Sequence, residues 1–338
     1  MTNPLLVSHR LPPFSAIKPE HVTPAISSLV ADGRAQLQQL LAANPVPTWD
    51  TLIAPLENQG DKLDQAWAPV SHLNAVANSD ELRTAYTESV ALLTEYSTEF
   101  SQNEALYQAY QQLADSTEFA TLSQAQQQSI NNALRDFRLG GVALNATDKK
   151  RFGDIQKRLS ELSTQFSNNV LDATQAWYKQ FDDAAALAGL PESALAQAAQ
   201  AATQKNLSGY VITLDFPSYY AVMMYAENRA LREEIYTAYV TRASAAGKKA
   251  DGSSAAEWDN SALIAETLAL RHELAQLLGF ANYAERSLAS KMAESTEQVI
   301  QFLNELAQKS KPFAERDYQE LRDFAAAQGW KASTSTGG

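Results

Sequence analysis

The sequence contains no cysteine. That removes disulfides, thiolate metal sites and a cysteine nucleophile together, and it fits a reducing compartment. No run is apolar enough over a bilayer's thickness to span one. Residues 1–10 carry no apolar stretch behind a basic start, so no secretory signal is expected. A cytoplasmic protein with no membrane partner is the expectation that follows. Positive charge is in deficit: 27 Lys and Arg face 39 Asp and Glu, for a net charge of −12 and a pI near 4.9. An acidic surface repels phosphate backbones, so nucleic acid is not an expected partner. The plain reading of the charge is solubility.

Glycine and proline are also sparse, 13 and 12 in 338 residues, so the chain has few forced breaks. With 45% hydrophobic residues it can build a large core without staples. Apolar residues recur at helical spacing. Phe152, Ile155, Leu159, Leu162, Phe166 and Val170 are separated by steps of three or four, which puts them on one helix face. Asn145 is a natural N-cap for that helix, with Asp148 in its first turn. Ser123 and Gln126 form a capping-box pair before Ile130, Leu134 and Phe137, and Gly140-Gly141 should end that helix. Ser79 is positioned to cap a helix carrying Leu82, Tyr86 and Leu93.

Further along, Pro191 suits the first position of an alanine-rich helix reaching about Lys205. Asn260 is expected to cap a helix over 261–278 that Gly279 terminates. Ser295 and Gln298 form a second capping-box pair. The helix behind them should kink or break at Pro312, which lacks a donor and clashes with the preceding turn. Two aromatic and β-branched stretches, 176–181 and 210–214, read as a two-stranded ribbon. Residues 244–257, rich in Ala, Gly, Ser and Lys, read as a mobile surface loop. The expected fold class is all-α, a multi-helix assembly with one small two-stranded β element. The expected organisation is a helical region over 1–175, a second over 176–331 with the ribbon, and a low-apolar tail over 332–338.

Histidine is rare too. His9, His21, His72 and His272 are the four, and no two are four residues apart, so no HExxH zinc motif exists. The nearest approach is His272-Glu273-Leu274-Ala275-Gln276, where a neutral glutamine takes the second ligand position. GxSxG, GxGxxG and P-loop patterns are missing as well. Acidic neighbours such as Asp182-Asp183 and Glu233-Glu234 point to different faces and read as solvated surface. Tyr210, Phe216, Tyr219, Tyr220 and Tyr225 surround Pro217. We read them as core around the ribbon, with the lining of a peptide groove as the alternative. No residue is assigned a catalytic, metal-ligating or substrate-binding role.

Several segments together resemble the thimet-oligopeptidase family of zinc metallopeptidases. They include LPPFSAIKPEHVTPAI near the start, RLSELSTQFSNNVLDAT, GYVITLDFPSYYAVMMYAENRALREEIYTAYVTRAS, and LALRHELAQLLGFANYAERSLASKMAES. The match runs from about Asn3 to about Lys331. The resemblance implies a mostly helical fold of two halves flanking a channel for short peptides, with zinc held by an HExxH helix and a later glutamate. It also implies that this chain is the N-terminal half, one channel wall, binding no zinc itself and inactive alone. Residues 332–338 are then a non-native tail. A wall separated from its other half should expose apolar surface and self-associate. The alternative is a non-catalytic helical binding or scaffold protein of peptidase ancestry. A third reading, an enzyme with an unrecognised carboxylate site, has nothing in the spacing to single out a pair.

Overall fold

The computed structural model describes residues 3–43 and 46–330; the expected tail, 332–338, lies outside them. Residues up to Leu278 form one compact unit and those from Gly279 a second.

The first unit begins with three long helices, α1 (Pro19–Ala43), α2 (Ala54–Val76) and α3 (Asp80–Ser101). Val22, Ile26 and Val30 of α1 are fully buried against Ala66 and Val70 of α2 and Leu82 of α3. Their spacing keeps one stripe facing inward, and each such side chain contributes about 1.5–3 kcal/mol by leaving water. Gly33 sets how closely α3 approaches: a Cβ there would lie 2.4 Å from the Tyr96 hydroxyl. A second core gathers Leu37, Leu52 and Ile53 with Leu106 and Leu113 of α4 (Glu104–Ala114) and Ile130 and Phe137 of α5 (Gln124–Leu139). The Ser123–Gln126 capping box opens α5 as expected, and Gly141, at φ +84°, turns the chain after it.

α6 (Ala146–Ala176) is the spine. Asn145 caps it, accepting from the Asp148 N–H at 3.0 Å. Phe152, Ile155 and Leu162 are buried on its inner face, while Phe166 lies at an exposed edge. The antiparallel ribbon follows, β1 (Tyr178–Phe181) pairing with β2 (Tyr210–Thr213), Tyr178 opposite Thr213 and Phe181 opposite Tyr210. A lone ribbon needs a packing partner. α7 (Glu192–Gln204), α8 (Phe216–Tyr225) and α9 (Arg229–Thr241) supply it, closing a third core of Trp177, Leu187, Ile212, Leu214, Val222 and Ile235. α10 (Ser261–Leu277) returns to α6, where Leu274 joins Phe152 and Ile155. The second unit holds α11 (Tyr283–Leu288) and the 32-residue α12 (Thr296–Ala327), which has no buried residue.

Local expectations are corrected in several places. Pro191 is the N-cap of α7, extended at ψ 155°, and not its first helical residue; its carbonyl accepts from Ala194 and Leu195 at 2.9 and 3.0 Å. Asn260 precedes α10 but its side chain does not cap it, because that amide is buried against α6; the Asp259 carboxylate accepts the Ser261 N–H instead, at 3.0 Å. Ser295 caps α12, yet Gln298 Oε1 accepts from Glu294 N–H, one residue outside the expected box. α12 runs unbroken through Pro312. The lost bond is that of the Gln308 carbonyl, and on an exposed helix water replaces it. Residues 244–257 are a folded excursion: Lys249 N–H donates to Ser253, Ala255 N–H to Gly247 and Ala250 N–H to Ala176, all at 3.0–3.1 Å, and Ala255 is buried. An ion pair of Lys249 with Glu257 closes it.

Candidate functional site

The fold separates the groups that sequence reading considered for chemistry. His272 is exposed on α10. Its neighbour Glu273 is engaged by Arg151 of α6 through two bonds of 2.6 Å. That hydrogen-bonded guanidinium holds the Glu273 carboxyl below its ordinary range, so the group is a fixed anion in a structural pair. Two turns away, Arg158 grips Glu266 in the same bidentate way, at 2.6 and 2.9 Å, and likewise holds its carboxyl below the ordinary range. These two pairs clamp α10 to α6. They explain why a sequence beginning like a zinc motif does other work here.

The remaining histidines sit on separate elements. His21 Nδ1 accepts the Lys18 N–H at 3.1 Å at the start of α1, and the His72 ring lies 5.4 Å from that of Phe14. Among the described residues no three His, Asp or Glu side chains gather closely enough to hold a metal ion. Asp183 accepts the Ala185 N–H, opening a short turn, and Glu234 pairs with Lys179 at 2.5 Å. The acidic neighbours thus act separately.

The aromatic cluster around Pro217 divides. Tyr210 and Tyr219 are partly buried and pack against the ribbon core, as read from sequence. Phe216, Tyr220 and Tyr225 are exposed, at 61%, 47% and 50%, so the core reading fails for them. The reason is phase. α8 is apolar on nearly every side, but only the Val222 side is covered by the ribbon. α9 extends this aromatic surface. Tyr239 stacks on Tyr219 with ring centroids 3.9 Å apart, and the Arg242 guanidinium lies 3.7 Å from the Tyr239 ring. Phe216 stacks on Tyr220 at 5.4 Å. Aromatic faces with polar tips and a stacked arginine suit contact with an unstructured peptide. Sequence reading missed the α9 contribution; its signal was the Tyr236/Tyr239 spacing of three, which aligns both on one side. On the other side of the ribbon, a groove of about 430 Å³ is lined by Gln197, Gln200 and Gln204 of α7 with Lys205 and Asp215.

Residues 26–150 match the family described as Neurolysin/Thimet oligopeptidase, N-terminal domain, and residues 222–334 match Peptidase family M3. The chain belongs to peptidase family M3. Within that family its sequence is similar to oligopeptidase A. It is 53% identical to oligopeptidase A of Salmonella typhimurium and 52% identical to that of Escherichia coli, each over 328 residues, covering 97% of this chain and 48% of the relative. A probable cytosolic oligopeptidase A of Arabidopsis thaliana is 38% identical over 97% of this chain and 46% of its own length. The chain therefore spans about half the length of the curated relatives it matches. No described helix is long and apolar enough to cross a membrane.

Proposed function

We propose that this chain supplies the N-terminal helical half of an oligopeptidase A-like zinc metallopeptidase. In this reading it forms one wall of a channel that admits short peptides in the cytoplasm. The zinc and its ligands come from residues outside these 338. One observation carries the reading: 97% of the chain aligns with 48% of oligopeptidase A, while the 338 residues contain no HExxH. The residues present do not fit a zinc ion, since Glu273 is committed to Arg151 and Gln276 is a neutral amide. No step of hydrolysis is assigned to this chain.

The exposed aromatic surface of α8 and α9 supports a role in lining a peptide path. α12 supports the need for a missing partner, as a long amphipathic helix with its apolar side uncovered within its own unit. The domain division at 175/176 follows the same logic, the ribbon region leading toward the absent catalytic half. The test is metal analysis of the purified chain together with a fluorogenic peptide assay. The expected result is no stoichiometric zinc and no chelator-sensitive cleavage. One zinc per chain with cleavage abolished by a chelator would overturn the reading.

A further inference from the structure

The N-terminal arm crosses α1 and α2 and roofs a cavity of about 510 Å³. That size falls within the range of about 300–1,000 Å³ for sites that enclose small ligands. The arm is anchored at both ends. Asn3 Nδ2 donates to the His21 carbonyl at 2.8 Å, and the Phe14 ring packs against His72. Pro12 and Pro13 stiffen the backbone between these anchors. The cavity is thus held open by covalent stiffness and by contacts to two helices.

Its lining is chemically one-sided. Leu5, Leu29 and Phe14 provide apolar walls. Arg10 and Lys62 also line it, and no Asp or Glu does, in a chain where acidic residues outnumber basic ones 39 to 27. Among the described residues neither Arg10 nor Lys62 has an ion pair or hydrogen bond. A third feature is a carbonyl. Pro69 has no N–H, so the Gln65 carbonyl lacks its ordinary helical donor, and both residues line the cavity.

We propose that this cavity binds the C-terminal residue of a peptide that ends in an apolar side chain. The carboxylate pairs with Arg10 and Lys62, where charge-assisted hydrogen bonds are strongest. The side chain lies against Leu5 and Leu29. The terminal amide N–H donates to the Gln65 carbonyl. A fatty acid offers the carboxylate and the apolar body but no N–H, so a carbonyl without its ordinary helical donor favours a peptide. The proposal stands apart from the peptidase reading, because it concerns binding without cleavage at a site made wholly by this chain.

The experiment is calorimetric titration of the purified 338-residue chain with N-acetyl-Ala-Ala-Leu. Saturable one-to-one binding is expected. The C-terminal amide of the same peptide should bind at least about tenfold more weakly, as expected for loss of a charge-assisted bond. Arg10→Ala/Lys62→Ala should weaken the acid by a similar factor with an unchanged circular dichroism spectrum, whereas Lys205→Ala should leave it unaltered. If the double variant does not fold, the acid–amide comparison on the unaltered chain decides. No binding, equal binding of acid and amide, undiminished binding by a folded double variant, or tighter binding of decanoate than of the tripeptide would each overturn the assignment.

Discussion

Asn169 of α6 donates its side-chain N–H to the Asn260 Oδ1 at 2.9 Å, and both residues are buried. Asn260 in turn donates to the Phe166 carbonyl at 3.2 Å. Two amides thus fasten the start of α10 to the middle of α6, in a place where water cannot substitute. Removing one partner strands the other, at a cost of about 1–3 kcal/mol. Asn169→Leu should lower the urea midpoint accordingly. The double variant Asn169→Leu/Asn260→Leu should lose less than the sum of the two single changes. Additive losses would show that the two amides are not coupled.

The Arg151–Glu273 and Arg158–Glu266 pairs fasten the same two helices and make that contact acid-sensitive. Hydrogen bonding by each arginine holds both carboxyls below the ordinary glutamate value of 4.5. A lowered folded-state value means that the stabilisation is fully present above 4.5 and is lost as pH falls through the folded values. Glu266→Gln/Glu273→Gln should therefore unfold at lower temperature at neutral pH. Its melting temperature should also fall less steeply than that of the unaltered chain between about pH 5 and 3. Parallel pH profiles would dismiss the clamp as a source of acid sensitivity.

These clamps show where sequence reading stops. Asn145, Ser123 and Ser79 announced their helices because a cap is a local event, complete within four residues. The ribbon was visible because aromatic and β-branched residues cluster there. The Asn260 side chain was misread as the capping group for the opposite reason: its partner, Asn169, is 91 residues away. Glu273 resembled part of a metal motif until Arg151, 122 residues earlier, claimed it. Phe216 and Tyr220 looked like core because composition does not reveal which side of α8 the ribbon covers. Pro312 should have broken a helix; solvent exposure along α12 lets water take the orphaned carbonyl. The arm cavity needed Arg10, Lys62 and Pro69 brought together from two elements, which no spacing rule exposes.

Gly209 tests the ribbon itself. Its φ is +75°, and a Cβ there would lie 2.2 Å from the Phe181 carbonyl oxygen, so both conformation and space require glycine. Gly252 has a similar φ of +80° with nothing within 4 Å. Gly252→Ala should cost about 1–2 kcal/mol, the left-handed penalty alone. Gly209→Ala adds a backbone clash and should cost more than Gly252→Ala. Chemical denaturation of both variants measures the difference, and equal losses would mean that the ribbon end shifts freely to admit the methyl group.

α12 has no buried residue and leaves a long apolar face uncovered. Its 32 residues extend about 48 Å at 1.5 Å per residue. Leu303, Leu306, Phe313, Leu321 and Phe324 follow helical spacing, so they share one face, and all are more than half exposed. Charged residues such as Lys311, Glu315 and Arg322 occupy the other side. An apolar stripe of that length is larger than monomeric proteins usually leave in water. The isolated chain should therefore self-associate, with α12 meeting α12 of a second copy. Sedimentation at increasing concentration should show mass rising above 37.0 kDa. Leu306→Glu/Phe313→Glu should return the chain to a monomer and leave the melting of the α1–α10 unit unchanged, because these side chains take no part in its core. A strict monomer at every concentration, or association that survives both glutamates, would locate the sticky surface elsewhere, and the exposed aromatics of α8 and α9 would be the next place to substitute.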